Sequence, residues 1–193
     1  MNKDEKRSLK KQLQRTKKKE LINYSWIIKI VLLTFVISFI FSAFSEIIIP
    51  NVTLIIGVIL LIVFILIGIL FDMIGVSVTA SDIAPFNSMN SRKIRGADIA
   101  VTFKKNADKV SSFCNDVVGD ICGIVSGSAG SIIAISIANR FNFDKFYVML
   151  IVTSIVASLT IGGKALGKSL AINKSNTILY RFSLFVSYFY KKK

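Results

Sequence analysis

SFCNDVVGDICGIVSGSAGSIIAISI, residues 112–137, is the stretch whose reading decides the fold. It combines three features: the acids Asp116 and Asp120 one turn apart, a ladder of Gly119, Gly123 and Gly127 at four-residue spacing, and small hydroxyl residues between them. Glycines at i, i+4 and i+8 share one face of a helix and let another helix come close. An acid inside a membrane helix is costly to insert and tends to face a partner, a cavity or an ion path. The stretch therefore predicts a membrane helix turned toward a polar spot inside a helix bundle.

The rest of the composition agrees. Of 193 residues, 53% are hydrophobic, and they are concentrated in runs too long for a soluble core of this size. The net charge of +14 would suggest nucleic acid if it formed one patch on a soluble domain, but the basic residues fall between apolar runs, where membrane topology explains them and no nucleic acid is expected. Cys114 and Cys122 lie eight residues apart on one helix, too far for a disulfide, and with no His in the chain they make no zinc site. They read as small packing residues. The chain also has no nucleophile with an evident base and no soluble catalytic domain, so it is not expected to be an enzyme.

Taken in order, residues 1–23 form a basic arm, with Lys3, Lys6, Arg7, Lys10, Lys11, Arg15, Lys17, Lys18 and Lys19. Residues 24–193 are expected to form a single all-α, polytopic membrane domain. Its four spans fall at about 26–46, 52–75, 112–138 and 145–163, with Tyr24 and Trp26 as interfacial aromatics. The second span is long, tilted or broken near Gly75. A polar connection over 81–110, starting near Pro85, reads as a juxtamembrane helical hairpin. Residues 170–190, where Ile178, Phe182, Phe185 and Phe189 recur at helical spacing, read as an amphipathic interfacial helix before Lys191, Lys192 and Lys193. The arm, the connection and the tail hold nearly all Lys and Arg, whereas the outer turns carry only Arg140, with Lys145 at the start of a span. The positive-inside rule thus places both termini in the cytosol of a cell membrane, expected to be a bacterial cytoplasmic one.

Residue counts from the outer ends of the spans give depth. Asp72 lies 20 residues after Val52, Asp120 lies 18 before Ala138 and Gly163 lies 18 after Lys145, so all three sit at similar height. Two carboxylates at such depth repel each other unless a cation or a basic partner stands between them. Oxygen donors nearby are Ser77, Thr79, Asn115 and Ser126, with backbone carbonyls freed around Gly75 and Gly163; oxygen ligands suit Mg²⁺ or another hard divalent cation. The expected metal ligands are Asp72, Asp120, Asn115, Ser77 and Ser126. The competing reading pairs Asp72 and Asp116 with Lys104, Lys105 or Lys109 at the headgroup boundary.

These residues resemble a family, the transmembrane domain of cyclin M and CorB/CorC-type magnesium transporters. Phe71-Asp72-Met73-Ile74-Gly75-Val76-Ser77-Val78-Thr79-Ala80 takes the place of the family's F-S-A-A-E-T-A-L-T-S, and the span from Gly96 to Lys109 looks like its cytosolic hairpin. Val118-Gly119-Asp120-Ile121-Cys122-Gly123-Ile124 is similar to V-G-N-x-L-V-N, and Gly162-Gly163-Lys164-Ala165-Leu166-Gly167-Lys168-Ser169-Leu170-Ala171 to G-E-I-L-P-K-S-L-A. The family's cation-binding Ser, Asn and Glu fall on Asp72, Asp120 and Gly163, so anionic oxygen is moved rather than abolished. The CBS pair and C-terminal domain of the family are absent from these residues. The resemblance implies divalent-cation transport or binding and a homodimer, for which the glycine ladder would serve, unless it serves internal packing. The alternative is a non-transporting scaffold or accessory subunit whose acids bind a basic residue of a separate membrane or regulatory subunit. Residues 162–169 also match the Walker A pattern G-x-x-x-x-G-K-[ST], but there is no room for the α/β domain a P-loop needs, so Lys164 and Lys168 are expected to act as inner-interface anchors.

Overall fold

The computed structural model describes residues 24–189. The basic arm and the terminal lysines, with the side chains of Tyr24 and Trp26, lie outside the described residues. The chain divides after Phe35 into two compact units. In the first, the described part is the opening of helix α1 (Tyr24–Ile48); all that follows concerns the second, from Val36 onward.

The protein is all-α, and four of its helices are long and apolar enough to cross a bilayer. Helix α1 ends where Pro50 enters a short 3₁₀ turn, Ile49–Asn51, since proline cannot donate to a continuing helix. Helix α2 (Leu54–Ala80) is 27 residues long, about 40 Å, and unbroken through Gly75. Two short helices follow, α3 (Ile83–Ser91) and α4 (Ala97–Lys105), packed as a hairpin whose turn holds Lys93 and Gly96 at φ 55° and 80°. Helix α5 (Ala107–Ser112) runs into a π-helical segment, Phe113–Gly119, and on into α6 (Asp120–Phe141), so that 107–141 is one continuous rod. Asn142 takes a left-handed conformation to end it, and Asp144 caps the next helix by accepting a 2.8 Å hydrogen bond from the Phe146 N–H. That helix, α7 (Lys145–Asn173), does not stop at Gly162 and Gly163 as expected but runs ten residues further, and α8 (Ser175–Phe189) closes the described chain.

Helices α2, α6 and α7 pack against one another as a three-helix bundle. Inside a bilayer there is little hydrophobic gain in bringing helices together, so close packing of small residues must hold them. That packing is visible at Gly68, where an added Cβ would stand 3.0 Å from the Cys122 Cβ, and at Gly130, where it would stand 3.1 Å from Val156. The ladder expected from the sequence divides: Gly119 faces the Gly68 carbonyl, but nothing lies within 4 Å of a Cβ at Gly123 or Gly127. Ile55, Ile59, Leu66, Leu70, Leu150 and Ile161 point outward from the bundle, as side chains that meet acyl chains must. This is a membrane protein.

Apolar packing concentrates at the two ends. One core, at the far end, joins Ile49, Leu61, Ile65, Ala129, Ile133 and Val156. The other, at the hairpin end, joins Val78 of α2, Phe86 of α3, Ala100 and Val101 of α4 and Leu179 of α8. The interfacial helix thus docks on the hairpin. It does so through a face with small residues, Ser183 and Ser187, leaving Phe185, Tyr188 and Phe189 exposed. Its backbone lies on Gly96, where an added Cβ would stand 3.0 Å from the Leu184 Cα; Phe182 stacks on Phe103, and Arg95 covers the Tyr188 ring at 4.1 Å.

Gly96 is therefore required twice, by its positive φ and by the helix above it. Gly96→Val is expected to cost about 1–3 kcal/mol and to loosen α8 first. Hydrogen-exchange mass spectrometry would show faster exchange across 175–189 with little change in α6; unchanged exchange there would refute this docking.

Candidate functional site

Between the two apolar cores lies a polar layer supplied by α2, the π segment with the start of α6, and α7. Asp72 is on α2, its side chain only 5% exposed, and its Oδ2 lies 3.6 Å from the Lys168 Nζ of α7. Asp120, the first residue of α6, accepts a 3.2 Å hydrogen bond from the Lys164 Nζ, also of α7. The two lysines are four residues apart and so share one face of α7. They are 19 and 23 residues from Lys145, or about 29 and 35 Å along the axis, which puts both pairs at one edge of a hydrocarbon layer about 30 Å thick. The level reckoned from residue counts is thus the level at which α7 offers its ammonium groups.

Asn115 completes the layer. Its side chain packs into the space left by Gly75, where any Cβ would overlap the amide. Its Nδ2 donates to the Ser111 Oγ at 3.2 Å, which turns Oδ1 the other way, buried and without a hydrogen-bond partner. Asp72 Oδ2 is likewise buried with no hydrogen bond. Asp72 is one turn before Gly75 on α2, so Asn115 Oδ1 is received one helical turn from the residue that carries the other unsatisfied oxygen. Buried carbonyl and carboxylate oxygens without donors are costly, and an ordered water, a donor group or a hard cation would satisfy them. Among the described residues no three His, Cys, Asp or Glu side chains converge, so a cation here would draw on mixed carboxylate, amide and water oxygens.

The π segment is what presents Asn115. A π turn holds one residue more than an α turn. Residues N-terminal to it are therefore rotated by roughly 100° from where a regular helix extended back from α6 would carry them. One side of the segment, with Val118, lines an apolar cavity of about 360 Å³ shared with Ile37, Phe41, Phe64 and Ile121. Asn115 meets Gly75 of α2, while Asp116 is exposed.

Of the five expected ligands, Asn115 sits at Gly75, one turn along α2 from Asp72. Ser77 is five residues beyond Asp72, about 140° around the helix, and donates to the Met73 carbonyl at 2.8 Å. Ser126 donates to the Cys122 carbonyl at 2.7 Å and lies eleven residues from Asn115, about 16 Å along the rod, too far to share an ion with it. Asp120 stands apart with Lys164, 66% exposed. No carbonyls are freed at Gly75 or Gly163, because both helices run straight through.

The chain matches no protein-family model, no curated protein and no solved structure. Its site must be read from its own geometry. Two expectations change on that reading. Lys164 and Lys168, expected only as interface anchors, are also the partners of the acids. Lys104 does not pair with Asp72; its Nζ donates to the Val78 and Thr79 carbonyls at 3.1 and 2.8 Å and so caps the end of α2. Gly163 receives the Ile69 side chain, into which a Cβ there would run. Residues 162–169 are helical, with their amides committed to the helix, so the Walker-like letters form no phosphate cradle.

The lysine partners escaped sequence reading because Gly162 and Gly163 suggested a helix end. The signal that would have found them is the four-residue spacing of Lys164 and Lys168 at the depth of the acids.

The Gly75 and Asn115 contact can be isolated by a double-mutant cycle. Gly75→Ala is expected to cost about 1–3 kcal/mol in the presence of Asn115. In an Asn115→Ala background the same change should cost nothing or stabilise slightly, giving a coupling of about 1–3 kcal/mol. Thermal unfolding in detergent measures it, and additive effects would refute the contact.

Proposed function

We propose that this protein is a cation-binding membrane module of the transport class, in which Asp72 and Asn115 form the core of a site for Mg²⁺ or a similar hard divalent cation. The observation that supports it is the pair of buried, hydrogen-bond-free oxygens, Asp72 Oδ2 and Asn115 Oδ1, on neighbouring turns within the polar layer. In this reading Asp72 supplies the anionic ligand and Asn115 a neutral one, held in orientation by Ser111. Asp120, close to the same level and exposed, provides a second carboxylate along the approach. The resemblance to the cyclin M and CorB/CorC transmembrane domain supports the same class, and so does its order of spans.

The proposal extends to topology and assembly. The distribution of Lys and Arg supports both termini on the cytosolic side of a bacterial cytoplasmic membrane, with the polar layer near the inner face. The open flank at Gly123 and Gly127, beside an Ile124 that is 60% exposed, supports a homodimer packed through α6. The exposure of Asp120 favours a second reading, a scaffold whose acid receives a basic residue of another subunit.

Ligand binding to the folded state raises its stability by mass action. Mg²⁺ at about a hundred times its dissociation constant should therefore add about 2.7 kcal/mol, or a rise of several degrees in the detergent unfolding temperature. Asp72→Asn is expected to abolish that rise, and Asn115→Ala to move its midpoint to about tenfold higher Mg²⁺. If no divalent ion shifts the wild type, the cation reading falls. Loss of a partner or of the dimer on Asp120→Asn, with no ion effect anywhere, would point to the scaffold.

A further inference from the structure

The two acid–lysine pairs of the polar layer are built in opposite ways. In one, the acid is buried and the lysine is free to move: Asp72 is 5% exposed, the Lys168 side chain 51%. In the other, the lysine is held and the acid is out: Lys164 is 18% exposed and Asp120 66%. The distances follow the same division. Lys164 reaches Asp120 at hydrogen-bonding distance, 3.2 Å, whereas Lys168 stands 3.6 Å from Asp72, beyond the range of a charge-assisted hydrogen bond. Lys168 thus offsets the charge of Asp72 without satisfying its oxygen.

We infer that Lys168 is a tethered cation that occupies the Asp72 site at rest and competes with a metal ion for it. The inference rests on the proposed reading of the polar layer as a cation site. The backbone that carries the tether is fixed, because Gly167 is seated against Ile69 and Met73 of α2; an added Cβ there would stand 3.2 Å from the Ile69 Cγ2. Only the four-carbon side chain has freedom, and half of it already faces outward. When it swings out to the level of the headgroups, Asp72 Oδ2 is open to a different cation, one turn from the Gly75 that receives Asn115 Oδ1. A hard cation entering there replaces one ammonium charge and gains oxygen ligands that the ammonium did not use. When the cation leaves, the ammonium returns, so Asp72 is never left buried and unpaired. Lys168 is a positioning and competing residue, not a ligand.

The test is a Mg²⁺ titration of the full chain in neutral detergent, read as unfolding temperature, for wild type, Lys168→Gln, Lys168→Arg and Lys174→Met. Gln keeps a polar side chain of similar shape and removes the charge; Arg keeps the charge; Lys174→Met removes an equal charge from the exposed end of α7 and so controls for general repulsion. Lys168→Gln is expected to lower the half-saturating Mg²⁺ by about tenfold, with the Arg and Lys174→Met proteins within about twofold of wild type. Binding by Lys168→Gln with a silent wild type also supports the inference. A wild type that binds, beside a Lys168→Gln protein that binds equally or more weakly, overturns the inference and leaves the cation site standing. Silence in both overturns both. Should Lys168→Gln not fold, Lys168→Met read against the double variant Asp72→Asn/Lys168→Met decides in the same way.

Discussion

A carboxylate carried on a helix that must cross hydrocarbon needs a counter-charge at its own depth, and this requirement orders the structure. Asp72 and Asp120 are on different helices, and both find their ammonium partners on α7. Meeting two acids with two lysines one turn apart leaves α7 a single rotation about its axis. At that rotation Gly163 and Gly167 face Ile69, so the charge pairing and the close packing of α7 on α2 are one fact. The pairs also lie at the edge of the apolar layer, where snorkelling limits the desolvation cost that would make them prohibitive at its centre.

The contrast between Gly75 and Gly163 shows what glycine does in such a bundle. Both looked, in the sequence, like places where a helix might end and release carbonyls to an ion. In the bilayer a freed carbonyl without a partner is costly, whereas a missing Cβ is useful, because helices there are held by contact. Each glycine accordingly receives a side chain from a neighbouring helix: the Asn115 amide at Gly75, Ile69 at Gly163. The irregular backbone that does occur, the π segment at Phe113–Gly119, contains no proline and only its terminal residue is glycine. It appears where a polar side chain must be turned toward a partner helix, a familiar use of the extra residue.

Much of the fold was legible in the sequence, for physical reasons that can be named. Apolar runs of bilayer length marked four spans, and the polar run with Pro85 marked the hairpin. Residue counts placed Asp72, Asp120 and the neighbourhood of Gly163 at one height, because rise per residue is nearly constant in a helix. Rotation was not legible. A π turn shifts phase by one residue with no compositional signature, so counting could not tell that Asn115 would meet Gly75 of α2. The lysines were hidden differently: Lys164 and Lys168 follow two glycines near the end of an apolar run, where interface anchoring is the common use of such residues.

The pairing has a consequence for how such a site can work. A polar layer of two acids and two lysines has no net charge, so the bundle can fold and remain in the bilayer with no metal bound. A site built from Asp72 and Asp120 alone would have needed its cation to assemble, or would have taken up protons instead. Self-pairing therefore separates stability from occupancy. In the proposed cation site it would also set a threshold, since an incoming ion would have to outcompete an ammonium held at high local concentration by its tether. On that proposal, the oxygens left unsatisfied by the ammonium, at Asp72 and Asn115, would be the margin by which a hard cation wins.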